Sequence, residues 1–326
     1  MIFYIEKTLC RNVSRVLRYF STNLQTTCND IENNNAVKKS LKIAIIGLPN
    51  AGKSTLINQL VNRTVCPTSG KVHTTREKSE SIFVTENTQL IIIDTPGLVS
   101  NRDFKAYDME ATFKKDVNKS LHKADIIGVV QDMENPRSRE NISKRILPLL
   151  ADYGKQRPSI LILNKVDRIK KKNVLLDIIK ILTNEQNWPY FNDIFMISAL
   201  KNDGVDDLRN YFLDMAKENE WDYNSEMYTD QKPELIIERT VKANLMDELP
   251  QEMPYKLKIE LEHFLVSNEG TINSTVKIIC PTERISKVVM RRVKLVAQLS
   301  EKNLSNAFRT IFKLKLSIIV KAKKKT

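Results

Sequence analysis

The eight residues from Gly47 to Ser54, Gly-Leu-Pro-Asn-Ala-Gly-Lys-Ser, constrain this chain more than any other stretch. They follow the apolar run 41–46 and open a segment, 53–60, with helical spacing. A buried strand that turns through glycines straight into a helix makes a phosphate cradle. The backbone N–H groups of Gly47, Asn50, Ala51, Gly52, Lys53, Ser54 and Thr55 are placed to wrap phosphate oxygens, and the helix N-terminus adds a favourable dipole. Lys53 reaches the outer phosphates, and the Ser54 hydroxyl suits Mg²⁺. Glycine is scarce, eight in 326 residues, yet two of the eight stand at the two positions this loop demands.

Three later stretches each sit at the end of an apolar run that reads as a strand. The first, 90–93, leads into Asp94-Thr95-Pro96-Gly97. There Asp94 would hold Mg²⁺ through water, and the Gly97 N–H would sense a terminal phosphate. The second, 159–163, ends at Asn164-Lys165-Val166-Asp167. Asp167 can accept both guanine N1–H and the 2-amino group, which adenine lacks; Asn164 can meet O6 and N7, and the Lys165 stem covers the ring. The third, 194–197, leads into Ser198-Ala199-Leu200, whose backbone N–H suits guanine O6. Ligands of doubly wound sheets bind at the C-terminal ends of strands, so this order of motifs points to an α/β, mostly parallel sheet binding GTP and GDP with Mg²⁺.

With Lys71-Val72-His73-Thr74-Thr75-Arg76 added, the set resembles the Era GTPase family from about residue 41 to the C-terminus. The resemblance implies that a Thr of the T-T-R segment, Thr75 ahead of Thr74, closes over Mg²⁺ and the γ-phosphate. Leu98 follows Gly97 where Ras-type GTPases carry the glutamine that orients water, which implies slow turnover. Asn50 resembles the P-loop asparagine of potassium-dependent relatives, which implies a K⁺ ion acting beside Lys53 and Thr75 in catalysis; the alternative is that Asn50 only stabilises its own turn.

After a polar stretch, 217–230, the pattern is helix (233–249), strand (255–262), strand (274–280), two helices (286–297 and 300–308) and a strand (312–320). This α-β-β-α-α-β order resembles the α+β KH domain that follows the GTPase domain in the Era family. The expected organisation is therefore 1–40 leader and linker, 41–216 GTPase domain, 217–230 linker and 231–326 KH-like domain. A KH domain clamps RNA with a G-x-x-G loop between its middle helices. Met290-Arg291-Arg292-Val293 stands there instead, and no glycine follows Gly270. Arg291, Arg292 and Lys294 are then the candidate RNA-binding side chains.

Charge supports a polyanionic partner. The net charge is +13, and residues 281–326 hold thirteen Lys or Arg against Glu283 and Glu301, a local excess of +11 in 46 residues. Small-subunit rRNA within the small ribosomal subunit is the partner the resemblance implies; peripheral association with an anionic membrane is the competing reading of the charge. No apolar run approaches the ~20 residues of a membrane span. The four cysteines, at 10, 28, 66 and 280, show no metal-ligand spacing. Lys7, Arg11, Arg15 and Arg18 line one face of an acid-poor amphipathic segment, which resembles a mitochondrial transit peptide cut after Phe20 and predicts a matrix location. The leading expectation is a GTPase that assists assembly of the mitochondrial small ribosomal subunit. The alternative is a ribosome- or protein-docking module whose nucleotide turns over slowly or is structural.

Overall fold

The computed structural model describes residues 37–71, 78–95, 112–136, 138–250, 252–266, 271–308 and 314–322. Apolar runs of β-branched residues form the strands β1 (Lys39–Gly47), β3 (Thr88–Asp94), β4 (Ile126–Asp132), β5 (Ser159–Asn164) and β6 (Asp193–Met196). With β2 (Ser79–Thr85) they make one sheet in the order β2-β3-β1-β4-β5-β6. All neighbours are parallel except β2, which pairs antiparallel with β3.

Both faces of this sheet are covered, which is why its strands are apolar almost without interruption. Ile43 and Ile45 of β1 point into one core with α1 (Lys53–Leu60) and α4 (Val205–Met215). Ala44 and Ile46 point the other way, into a core with α2 (Thr112–Lys123), α3 (Asn173–Leu182) and Trp188. Strand order reverses on either side of β1, so the loop after β1 opens at the switch point where such sheets bind ligands.

Residues 217–230 run along the sheet edge. β7 (Lys217–Glu218) pairs with the start of β1, Trp221 Nε1 donates to Lys39 O at 3.0 Å, and the Tyr223 hydroxyl donates to Glu80 at 2.6 Å. Thr229 bridges Ser81, and Asp230 Oδ1 accepts the Glu80 N–H at 2.8 Å.

The second unit is a three-stranded sheet, β8 (Lys258–Val266), β9 (Ile272–Cys280) and β10 (Leu314–Ala322), with β9 central, β10 parallel to it and β8 antiparallel. Helices α5 (Pro233–Glu248) and α6 (Glu283–Phe308) cover one face around Val276, Ile278, Val289 and Val296. Here the structure corrects the expected order. The two middle helices with an intervening loop at Met290–Val293 are one continuous helix of 26 residues, so the arrangement is α-β-β-α-β. The physical reason lies in the residues: 283–308 contain neither Gly nor Pro, and nothing in Met-Arg-Arg-Val stops a helix or supplies the backbone freedom of a G-x-x-G turn.

Candidate functional site

The loop between β1 and α1 is shaped by close approaches that glycine alone allows. A Cβ on Gly47 would lie 2.6 Å from Val130 O, and Gly52 has φ +90° with only 2.3 Å between such a Cβ and Asn164 Nδ2. Lys53 is 6% exposed and donates to Gly47 O at 3.2 Å and Leu48 O at 3.0 Å, folded back along the loop it serves. Burial pulls its pKa down to about 8, against a smaller opposing pull from Asp94.

At the end of β3 the Ser54 hydroxyl donates to Asp94 Oδ2 at 3.0 Å. A hydroxyl and a buried carboxylate held together beside the phosphate loop form an oxygen donor set of the kind Mg²⁺ prefers. Thr95, to which the sequence motifs give no role, is buried and donates through Oγ1 to Ile45 O at 2.6 Å, tying the end of β3 to β1. Thr74, Thr75, Gly97 and Leu98 lie outside the described residues.

Beyond the loop is a cleft of about 480 Å³, lined among others by Gly52, Thr55, Lys165, Asp167, Ser198 and Leu200. That is the size of an ordinary ligand pocket. The Ser198 hydroxyl beside Asp167 holds its carboxyl below the usual carboxylate range, outweighing burial, and Lys201 and Arg168 at 3.8 Å act the same way. Asp167 is therefore an ionised acceptor at neutral pH. Lys165 has φ 65°, and its ammonium is anchored by Asp132 at 2.7 Å and Glu134 at 3.3 Å.

Asn164 lines the cleft and is also a structural tie. Its side chain is 2% exposed. Nδ2 donates to Ala51 O at 2.8 Å, while Oδ1 accepts Lys165 N at 2.8 Å and Ala199 N at 3.0 Å. One amide thus fastens together the phosphate loop, the loop after β5 and the loop after β6.

Asn50, with φ 60°, donates through Nδ2 to Gly70 O at 3.0 Å. Gly70 belongs to a segment held in turn by the second domain, whose Asp247 also lines the cleft. On that domain Arg291 and Lys294 lie exposed along α6, whereas Arg292 lies to one side, 3.9 Å from Glu248.

Comparison with known proteins bears on this geometry. Residues 42–165 match the family described as 50S ribosome-binding GTPase. The mitochondrial GTPase Era of Danio rerio is 31% identical over 86% of this chain and 75% of its own length. The GTPase Era of Erythrobacter litoralis is 30% identical over 82% of this chain and 87% of its own length. The chain belongs to the Era GTPase family. A crystal structure of Era in complex with MgGDPNP and nucleotides 1506–1542 of 16S ribosomal RNA superposes with TM-score 0.70 at 26% identity, covering 87% of this chain and 94% of the other. Era of Aquifex aeolicus bound to GDP·AlF4⁻ gives TM-score 0.71 at 26% identity, with the same coverage. As an Era-family protein the chain is a P-loop GTPase that hydrolyses GTP, and its second sheet corresponds to the C-terminal KH domain of Era. Among the described residues no helix is long and apolar enough to cross a membrane.

Proposed function

We propose that this chain is a GTP-driven assembly factor that binds small-subunit rRNA and serves the small ribosomal subunit of mitochondria, in the matrix. The observation that carries the reading is the joining of two units: a guanine-type cleft whose wall includes Asp247 of a KH-type domain. The relatives add support, one being a mitochondrial Era and another an Era solved with 16S rRNA. In this reading residues 1–40 direct import, 41–216 turn over GTP, 217–230 connect and 231–326 face the RNA.

The chemistry follows from the residues this reading assigns. Asp167 accepts guanine N1–H and the 2-amino group, the backbone of Ser198–Leu200 meets O6, and the Lys165 stem covers the ring. The loop amides and Lys53 hold the phosphates, and Thr75 and Gly97 contact the γ-phosphate. Ser54, Asp94 and Thr75 would hold Mg²⁺, which when bound would neutralise charge developing on the phosphate oxygens. Asn50 Nδ2 is engaged by Gly70 O, so Oδ1 is the atom that would face a K⁺ ion; hydrolysis rates in matched KCl and NaCl test that point, and equal rates reject it.

The deciding experiment is cross-linking and sequencing of RNA bound in cells, comparing the native protein with Lys53→Ala. Enrichment of mitochondrial small-subunit rRNA supports the proposal. Its absence from the native protein's cross-links refutes it.

A further inference from the structure

We infer that α6 carries a docking ridge for double-stranded RNA; this rests on the RNA reading above and specifies its ligand. At about 100° per residue, Arg284, Lys287, Arg291, Lys294 and Lys302 fall within an arc of about 80°. That arc lies opposite the buried stripe of Val289, Val296, Ser300, Leu304 and Ala307. All five cations are exposed. Only Lys287 has an acidic partner among the described residues, Glu283 at 3.0 Å, and that pair is itself solvent-exposed. From Arg284 to Lys302 the ridge runs about 27 Å at 1.5 Å per residue.

Three features favour paired over unpaired RNA. The unbroken helix has no glycine turn, so the backbone cannot approach nucleotides one at a time. The ridge itself has no aromatic side chain on which bases could stack, since none of residues 284–302 is aromatic. A duplex also presents about twice the phosphate density per unit length of a single strand, and paired RNA is recognised chiefly through shape and backbone. A straight row of point charges suits that target. Arg292 is not part of it, because the helix turns it toward Glu248.

The test uses the full chain, a fully paired RNA hairpin and an unpaired strand of equal length, with affinity measured over a salt series. The native protein should bind the hairpin at least tenfold more tightly. Arg291→Ala with Lys294→Ala should flatten the slope of log affinity against log salt on the hairpin by about 1.8, because each duplex phosphate left unneutralised takes away about 0.9. Lys119→Ala with Lys144→Ala, which removes equal charge from exposed sites on the GTPase domain, should leave the slope unchanged. Circular dichroism establishes that each variant keeps its helices. Equal or tighter binding of the unpaired strand, an unchanged slope for the α6 pair, or an equal loss for the control pair overturns the ridge and leaves the RNA reading standing. Failure of the native protein to bind either RNA at low salt overturns both.

Discussion

The carboxylate of Asp247 accepts the Gly70 N–H at 2.9 Å, and the same oxygen accepts the Ser69 hydroxyl at 2.6 Å. Asn50 of the phosphate loop holds Gly70 from the other side through its carbonyl, and Lys71 Nζ donates to Leu249 O at 2.5 Å. The last turn of α5 is thereby linked to the phosphate loop through Gly70. Asp247→Ala should loosen residues 69–71 without unfolding either domain. An intramolecular hydrogen bond contributes ~1 kcal/mol net, which corresponds to about fivefold faster exchange of the Gly70 amide. Hydrogen exchange resolved to that segment is the measurement, and unchanged protection would show that Asp247 does not hold the loop.

The placement of Asn164 gives a second prediction. If its amide served the base alone, Asn164→Ala would weaken GTP binding and leave the nucleotide-free protein as stable as before. Because the side chain also joins three loops, Asn164→Ala should destabilise the nucleotide-free protein by ~3 kcal/mol, at about 1 kcal/mol for each of its three hydrogen bonds. Chemical denaturation without nucleotide distinguishes the two cases.

The GTPase half is largely legible in the sequence because its motifs are local: each joins one strand to the loop that follows it. β1, α1, β3 and β5 fall where apolar runs and loop glycines place them. What escapes is non-local. Thr95 bonds to a carbonyl 50 residues away, and Asp247 to a loop 177 residues away, with no pattern in the sequence to mark either. β2 is hidden because its run, Ser-Glu-Ser-Ile-Phe-Val-Thr, is polar where residues 228–230 cover it with hydrogen bonds. Dividing α6 into two helices requires a turn that its residues do not encode. The amphipathic spacing itself runs unbroken from Arg284 to Lys302.

In the proposed reading guanine selectivity depends on Asp167, kept ionised by Ser198 and two nearby cations. Asp167→Asn should weaken GTP binding by about 3 kcal/mol, the scale of two charge-assisted hydrogen bonds, or about a hundredfold. The same change should improve binding of xanthosine triphosphate, whose 2-oxo group needs a donor. Calorimetry with GTP, XTP and ATP reads all of this, and native protein binding ATP as well as GTP would contradict the assignment.

Lys53 makes GTP binding sensitive to pH in a direction fixed by its burial. Without nucleotide its pKa is about 8, pulled down because the low-dielectric surroundings disfavour the charged form. Phosphates beside the ammonium favour that form and raise the pKa again. Between the free and bound values, binding must therefore take up a proton. Affinity for GTP should be flat below pH ~7 and fall as pH rises past 8, by up to about tenfold per pH unit. Calorimetry at pH 8 in two buffers of different ionisation enthalpy should report about half a proton taken up for each nucleotide bound. The nucleotide-free protein should respond in the opposite sense. A lysine whose folded pKa lies below its unfolded value contributes stability as pH rises between the two, so nucleotide-free protein should gain stability from pH 8 toward 10 relative to Lys53→Met. A pH-independent difference between native and Lys53→Met melting temperatures, together with no proton uptake, would show that this lysine stays fully charged before nucleotide binds.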